Sequence, residues 1–154
     1  MTVVVVSGHP RLGSRTAGLA EEVGRALAGG SEPEVIHVSR LGAGLLAGDA
    51  PATVDALDRI RKADLLVVAT PTYKGAYTGL LKVLFDHLPA RALDGIDAVT
   101  VVTAGIQPQA DAAEGHLRDL LGELGARIPR PGLTVVEKDL DSAADIAARY
   151  AAAG

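Results

Sequence analysis

The 154-residue chain has no cysteine and no tryptophan, one phenylalanine, one methionine and three tyrosines. Without cysteine there is no disulfide framework, no thiolate metal site and no thiol nucleophile. That removes the cysteine-dependent phosphatases, which also place an anion-binding loop after a strand. Long apolar runs are missing too: none approaches the length needed to cross a bilayer. The first residues run straight into a strand, with no basic segment leading into a signal core. A cytoplasmic protein with no membrane attachment is therefore expected. Positive charge is not in excess. Fifteen Lys and Arg stand against 19 Asp and Glu, a formal net charge of −4, which argues against a dedicated nucleic-acid partner. The four histidines, His9, His37, His87 and His116, show no metal-ligand spacing, so no metal site is expected.

What is present is an alternation of short apolar runs with helical patterns. Thr2 to Ser7 is nearly all valine, as in a parallel strand covered on both faces. Leu19, Val23, Ala26 and Leu27 follow at helical spacing, up to Gly29-Gly30. Glu34 to Ser39 reads as a second strand, followed by a Gly-rich loop and a polar helix from about Thr53 to Lys62. Asp64–Thr70 and Asp97–Thr103 read as strands, separated by a helix marked by Leu80, Leu81, Leu84, Phe85 and Leu88 and stopped by Pro89. Leu117, Leu120, Leu121 and Leu124 line a fourth helix, Leu133–Val136 is a fifth strand, and an Ala-rich helix closes the chain.

Five strands alternating with five helices imply right-handed crossovers and a parallel sheet. At this length the expected form is a flavodoxin-like α/β fold: one domain over residues 1–154, a doubly wound five-stranded parallel sheet in the order 2-1-3-4-5. Ligands of such sheets bind beyond the carboxyl ends of the strands, at the switch between strands one and three. The loops that matter are then Gly8–Gly13, Pro71–Tyr77 and Ala104–Gln109.

The first loop, within Ser7–Thr16, opens a helix, where unpaired N–H groups and the helix dipole favour negative charge. Ser14 and Thr16 add hydroxyl donors, and Arg11 and Arg15 add forked cationic ones. A phosphate monoester suits that set. Simple helix capping by Ser14 is the plainer alternative. Gly8 and Gly13 have Walker A spacing, but Ser14-Arg15 replaces the required Lys-Ser/Thr pair, and the dinucleotide signature G-x-G-x-x-G is absent. A mononucleotide remains, and in a sheet of this size that points to FMN. The second loop offers Pro71, backbone groups freed by Gly75 and Gly79, and the aromatic faces of Tyr73 and Tyr77. A flat heteroaromatic ring requires surfaces of this kind.

With Ser7–Thr16 before it and Thr103-Ala104-Gly105 after it, the segment Ala69–Leu93 (PTYKGAYTGLLKVLFDHLPARAL from Pro71) resembles the NAD(P)H-dependent FMN reductases. It is most similar to the flavin reductases of two-component alkanesulfonate monooxygenase systems. The resemblance spans roughly Thr2 to Val136. It implies an FMN phosphate near Arg11, Ser14, Arg15 and Thr16. It places the isoalloxazine along Pro71, Thr72, Tyr73, Lys74 and Gly75, with Thr103, Ala104 and Gly105 on the other side. It also implies hydride transfer from NADPH or NADH, with reduced flavin passed to a partner monooxygenase or a small acceptor such as a quinone, in a homodimer or homotetramer. Where many relatives carry Ser in the first loop, this chain has His9, which is expected to line the phosphate pocket.

Hydride transfer between nicotinamide and flavin needs no protein acid–base dyad, because the cofactors carry the chemistry. No catalytic residue is expected, and Lys74 is a candidate for tuning the flavin. Asp86 and His87 are adjacent on a helix and point about 100° apart, which does not make a pair. The competing reading is a flavodoxin-type electron carrier. Such carriers are more acidic and bracket the flavin with large aromatics, which this chain has in short supply.

Overall fold

The structure, a computed structural model, describes all residues from Met1 to Gly154. The valine run forms β1 (Val3–Ser7), buried at every position. It pairs in parallel with β2 (Glu34–His37) on one side and β3 (Leu65–Pro71) on the other. β3 pairs with β4 (Asp97–Ala104), and β4 with β5 (Leu133–Val136), giving the order 2-1-3-4-5 throughout a parallel sheet. The helices between them are α1 (Arg15–Leu27), α2 (Pro51–Arg61), α3 (Gly79–Asp86), α4 (Gln107–Glu123) and α5 (Ala143–Ala152).

Alternation along each strand separates two cores. Val4, Val6, Leu66, Val68 and Val102 face Ile60 of α2, Leu84 and Phe85 of α3, and Leu117 and Leu121 of α4. Val3, Val5, Val67, Val99 and Val101 face Leu19 and Val23 of α1 and Ala147 of α5. The crossover after β1 thus runs over one face and the crossover after β3 over the other. Their loops diverge at the sheet edge and leave a crevice between the exits of β1 and β3. The β3–β4 ladder continues beyond β1: Ser7 lies opposite Ala69, while Pro71 still pairs with Thr103.

β1 and β4 shift by one residue at one end from the sequence reading and β3 by one at each end, and the larger differences lie around β2, α2 and α4. β2 stops at His37 rather than Ser39, and Val38–Leu46 is 3-10 helical rather than a loop, kinked at Gly42. Val38 and Leu45 are drawn into the core there, which an irregular loop would leave exposed. α2 begins at Pro51, two residues earlier than expected, because proline is favoured at the first helical position. α4 begins at Gln107, with Pro108 in its first turn, so the expected loop Ala104–Gln109 shrinks to Gly105 and Ile106.

The two glycines within α1 have opposite surroundings. A Cβ on Gly24 would lie 2.6 Å from Val5 Cγ2 and 3.2 Å from Pro33 Cγ, whereas one on Gly18 would meet nothing within 4 Å. Gly18→Ala is expected to stabilise the protein by about 0.5–1 kcal/mol through helix propensity. Gly24→Ala is expected to destabilise it by about 1–3 kcal/mol through overpacking. Urea unfolding of the two variants checks this; equal signs would contradict the close packing of α1 on β1.

Candidate functional site

The exits of β1, β3 and β4 are joined by threonine hydroxyls. Gly8 N–H donates to Ala69 O at 2.8 Å, holding the start of the first loop on β3. Thr78, the N-cap of α3, donates its hydroxyl to Gly8 O at 2.7 Å and accepts from Leu81 N–H at 3.3 Å. Its own N–H donates to Thr70 Oγ1 at 3.1 Å, and Thr70 Oγ1 donates to Pro71 O at 2.7 Å. The approach is close: a Cβ on Gly8 would stand 3.0 Å from both Leu81 Cβ and Thr78 Oγ1. Thr103, at the end of β4, receives the Thr72 hydroxyl on its carbonyl at 2.9 Å, and its own hydroxyl lies 2.8 Å from Thr16 Oγ1 at the start of α1.

These ties enclose a cavity of about 250 Å³ at the carboxyl edge of the sheet. His9, Arg11, Arg15 and Thr16 line one wall, and Pro71, Thr72, Tyr73 and Thr103 the other. Eight of the thirteen residues expected at the site therefore line one cavity. Ser14 does not line it. Ser14 is buried and caps α1, accepting Ala17 N–H at 3.1 Å, which matches the capping alternative. Lys74, Gly75, Ala104 and Gly105 also lie outside the lining. Ala104 is buried as the last residue of β4, and the other three are exposed loop residues.

Glu137 and Leu140 complete the cavity, and sequence reasoning did not find them. They belong to a 3-10 segment, Glu137–Ser142, that follows β5. The signal was available in the rule that sites form at strand carboxyl ends, applied to β5 as well as to β1, β3 and β4. Arg15 reaches this segment through Nη1, 3.4 Å from Glu137 O and 3.8 Å from Asp141.

Within the second loop, Tyr73 and Ala76 exchange N–H···O bonds of 2.9 and 3.2 Å around Lys74 and Gly75. Both central residues have positive φ, 53° and 84°. That is a two-residue hairpin of the kind glycine and asparagine favour. The hairpin presents Tyr73, which is 46% exposed, edge-on to His9 with ring centroids 6.4 Å apart and an interplanar angle of 69°. Tyr77, by contrast, packs against the core.

His9 Nδ1 accepts the Arg11 N–H at 3.0 Å, so the neutral ring carries its proton on Nε2. Partial burial, reinforced by the Arg11 guanidinium, holds its pKa below the ordinary histidine value of 6.5. The other candidates for chemistry are engaged elsewhere. Asp86 takes Lys82 Nζ at 2.7 Å, and His87 Nε2 stands 2.6 Å from Leu45 O. A larger hollow of about 640 Å³ lies beside α4 and Ile128–Thr134, and none of its lining residues belongs to the three loops. Of its two acidic residues, Glu114 is already bound to Thr100 and Arg118, and Asp111 accepts from Gln107 Nε2 at 2.7 Å.

The doubly wound 2-1-3-4-5 sheet, with a basic helix-opening loop at its switch point, defines the flavodoxin-like class of mononucleotide-binding folds. Within that class, residues 1–141 match the family of NADPH-dependent FMN reductases, and the chain belongs to that family. An FMN reductase (NADPH) of Pseudomonas aeruginosa is 37% identical over 149 residues, covering 91% of this chain and 79% of that protein. The NADH-dependent FMN reductase SfnF of Pseudomonas fluorescens is 34% identical over 146 residues, covering 90% and 78%. The solved apo structure of an NADH:FMN oxidoreductase superposes with a TM-score of 0.84 at 33% identity, covering 99% of this chain and 89% of that one.

Two outcomes follow from this geometry. Thr78→Val removes the hydroxyl that serves both Gly8 O and the α3 cap, and is expected to cost about 1–3 kcal/mol in urea unfolding. The second concerns His9, whose pKa is lower folded than unfolded. The unfolded chain therefore binds its proton first as pH falls. The stability contributed by neutral His9 is complete above the ordinary value of 6.5 and is lost as pH drops through the folded value. The stability difference between the natural chain and His9→Gln is thus expected to move against the natural chain as pH falls from about 7.5 to about 5. A pH-independent difference would show that His9 is not held neutral.

Proposed function

We propose that this protein is an NAD(P)H:FMN oxidoreductase that holds FMN in the cavity between its first and second loops. The observation that carries the reading is the cavity's two-sided chemistry, in a chain of the FMN reductase family. One wall is cationic and rich in donors, and the other sets Pro71 and the Tyr73 ring beside the hydroxyl-bearing Thr72 and Thr103. The donor set suits a phosphate monoester. Arg11 and Arg15 offer charge, Thr16 a hydroxyl, the first turn of α1 its free N–H groups, and neutral His9 an Nε2–H. Pro71, Thr72 and Tyr73 then border the ring, with Thr103 between the two halves.

When bound, FMN supplies a ring that accepts a hydride from NADPH or NADH. The protein's own residues position and shelter. The Arg11 and Arg15 guanidiniums neutralise the phosphate, and Tyr73 keeps water from one edge of the ring site. The Thr78, Thr72 and Thr103 hydroxyl bonds keep the two walls at fixed separation. No side chain is assigned a proton-transfer role.

The proposed setting is cytoplasmic, with reduced flavin delivered to a flavin-dependent monooxygenase or its electrons passed to a small acceptor such as a quinone. A homodimer or homotetramer is proposed on the basis of exposed Leu12, Tyr73 and Ile106. These residues lie on the three loops around the cavity and leave an apolar rim for a second copy to cover.

Steady-state oxidation of NADPH and of NADH by the purified chain, with and without added FMN, tests the reading. FMN-dependent oxidation well above the protein-free rate is expected. FMN should also bind at least about tenfold more tightly than riboflavin, since charge-assisted bonds to the phosphate are worth about 1.5–3 kcal/mol. Oxidation no faster than without protein would overturn the assignment.

A further inference from the structure

Lys74 stands at φ 53°, a conformation that glycine and asparagine adopt readily and lysine does not. One other non-glycine residue shares that region, Arg91 at φ 61°, and its guanidinium is paired with Asp94 at 2.9 Å. Lys74 has no ion pair and no side-chain hydrogen bond, and it is exposed. An unfavourable backbone position is thus occupied by a cation that the protein itself does not use. The hairpin holding it is fixed by two backbone bonds, so the charge is presented from a rigid support.

Its position separates it from the phosphate cradle. Arg11 and Arg15 line the cavity, whereas Lys74, exposed and next in the chain to the lining residue Tyr73, does not. The cavity, at about 250 Å³, falls below the 300–1,000 Å³ range usual for small-molecule sites. A pyridine dinucleotide approaching a ring held there must keep its pyrophosphate outside, in solvent-facing territory. The segment after β5 carries Glu137, Asp139 and Asp141 against Lys138, with Arg15 already paired to Asp141, so it stays net negative towards those phosphates, whereas the hairpin offers an unpaired cation.

We propose that Lys74 contacts the phosphates of the nicotinamide dinucleotide and so selects and orients the electron donor, rather than tuning the flavin. The proposal rests on the reductase reading above. It makes Lys74 a binding residue for the second substrate and accounts for a lysine where the backbone favours asparagine.

The test uses Lys74→Gln, Lys74→Asn and Lys74→Arg in the full chain loaded with FMN. Binding of NADP⁺ and NAD⁺, which cannot reduce the flavin, is measured by calorimetry, and FMN affinity by fluorescence titration. The Gln and Asn variants are expected to weaken dinucleotide binding about fivefold, as for one partly exposed charge contact. Added salt should shrink the effect and Arg should restore it. FMN affinity should stay within twofold, and Lys74→Asn should raise the urea midpoint by relieving the hairpin. Unchanged dinucleotide affinity, no dinucleotide binding by the natural chain, or an equal loss of FMN affinity would each overturn the proposal. Because these readouts involve no turnover, they fail or succeed independently of the reductase assay.

Discussion

The hydroxyl of Thr78 is the point on which the site geometry depends. It lies at the start of α3, yet it bonds the carbonyl of Gly8 seventy residues earlier, at 2.7 Å in a buried setting. Through its N–H it also holds Thr70, whose hydroxyl in turn holds Pro71 O. Buried bonds of this kind stabilise modestly when made and cost heavily when one partner is left alone. The exits of β1 and β3 are therefore fixed relative to each other, even though their crossovers run over opposite faces of the sheet. A crevice between two independently wound loops would otherwise have no defined width. Thr16, Thr72 and Thr103 extend the same arrangement to α1 and β4.

The second constraint is electrostatic. The chain is net negative, but its charges are not evenly placed. Arg11, Arg15 and Lys74 lie at the carboxyl edge of β1 and β3, and Glu137, Asp139 and Asp141 follow β5. Arg15 touches that acidic segment through Glu137 O and Asp141, and so forms part of both walls. Local positive potential in an acidic protein concentrates an anionic ligand at one place without general affinity for polyanions. His9 contributes differently. Held neutral by burial and Arg11, it keeps an Nε2–H donor without adding charge, comparable to a serine hydroxyl.

Much of this was legible in the residues. The valine run of β1, the apolar β3 and β4 and the leucine spacings of α3 and α4 each carry a period or a continuous burial that only one kind of element satisfies. Boundaries were less legible where a weak local signal competed with packing. Val38–Leu46 reads as a glycine-rich loop because Gly42 and Gly44 interrupt any period. Burial of Val38 and Leu45 nonetheless folds it into 3-10 turns. At α4 the leucines mark only the second half of the helix. Ala110 and Ala113 bury its first half without a pattern strong enough to read.

By itself, the sequence determined the sheet, its order and the loops at its edge, which follow from periodicity, chirality of connection and residue types that act locally. The family rests on the motifs of Ser7–Thr16 and Ala69–Leu93 and on the match over residues 1–141. Tertiary structure alone decided which residues of those loops share a wall. Ser14 was turned inward as a cap, Lys74 was left outside the lining, and Glu137 and Leu140 were brought in from the segment after β5. Tertiary structure also set the separation of the walls, through the Thr78–Gly8 and Thr16–Thr103 contacts. The reason is that hydrogen bonds between residues seventy or more positions apart leave no trace in local pattern. They exist only once parallel strands have set their exits side by side.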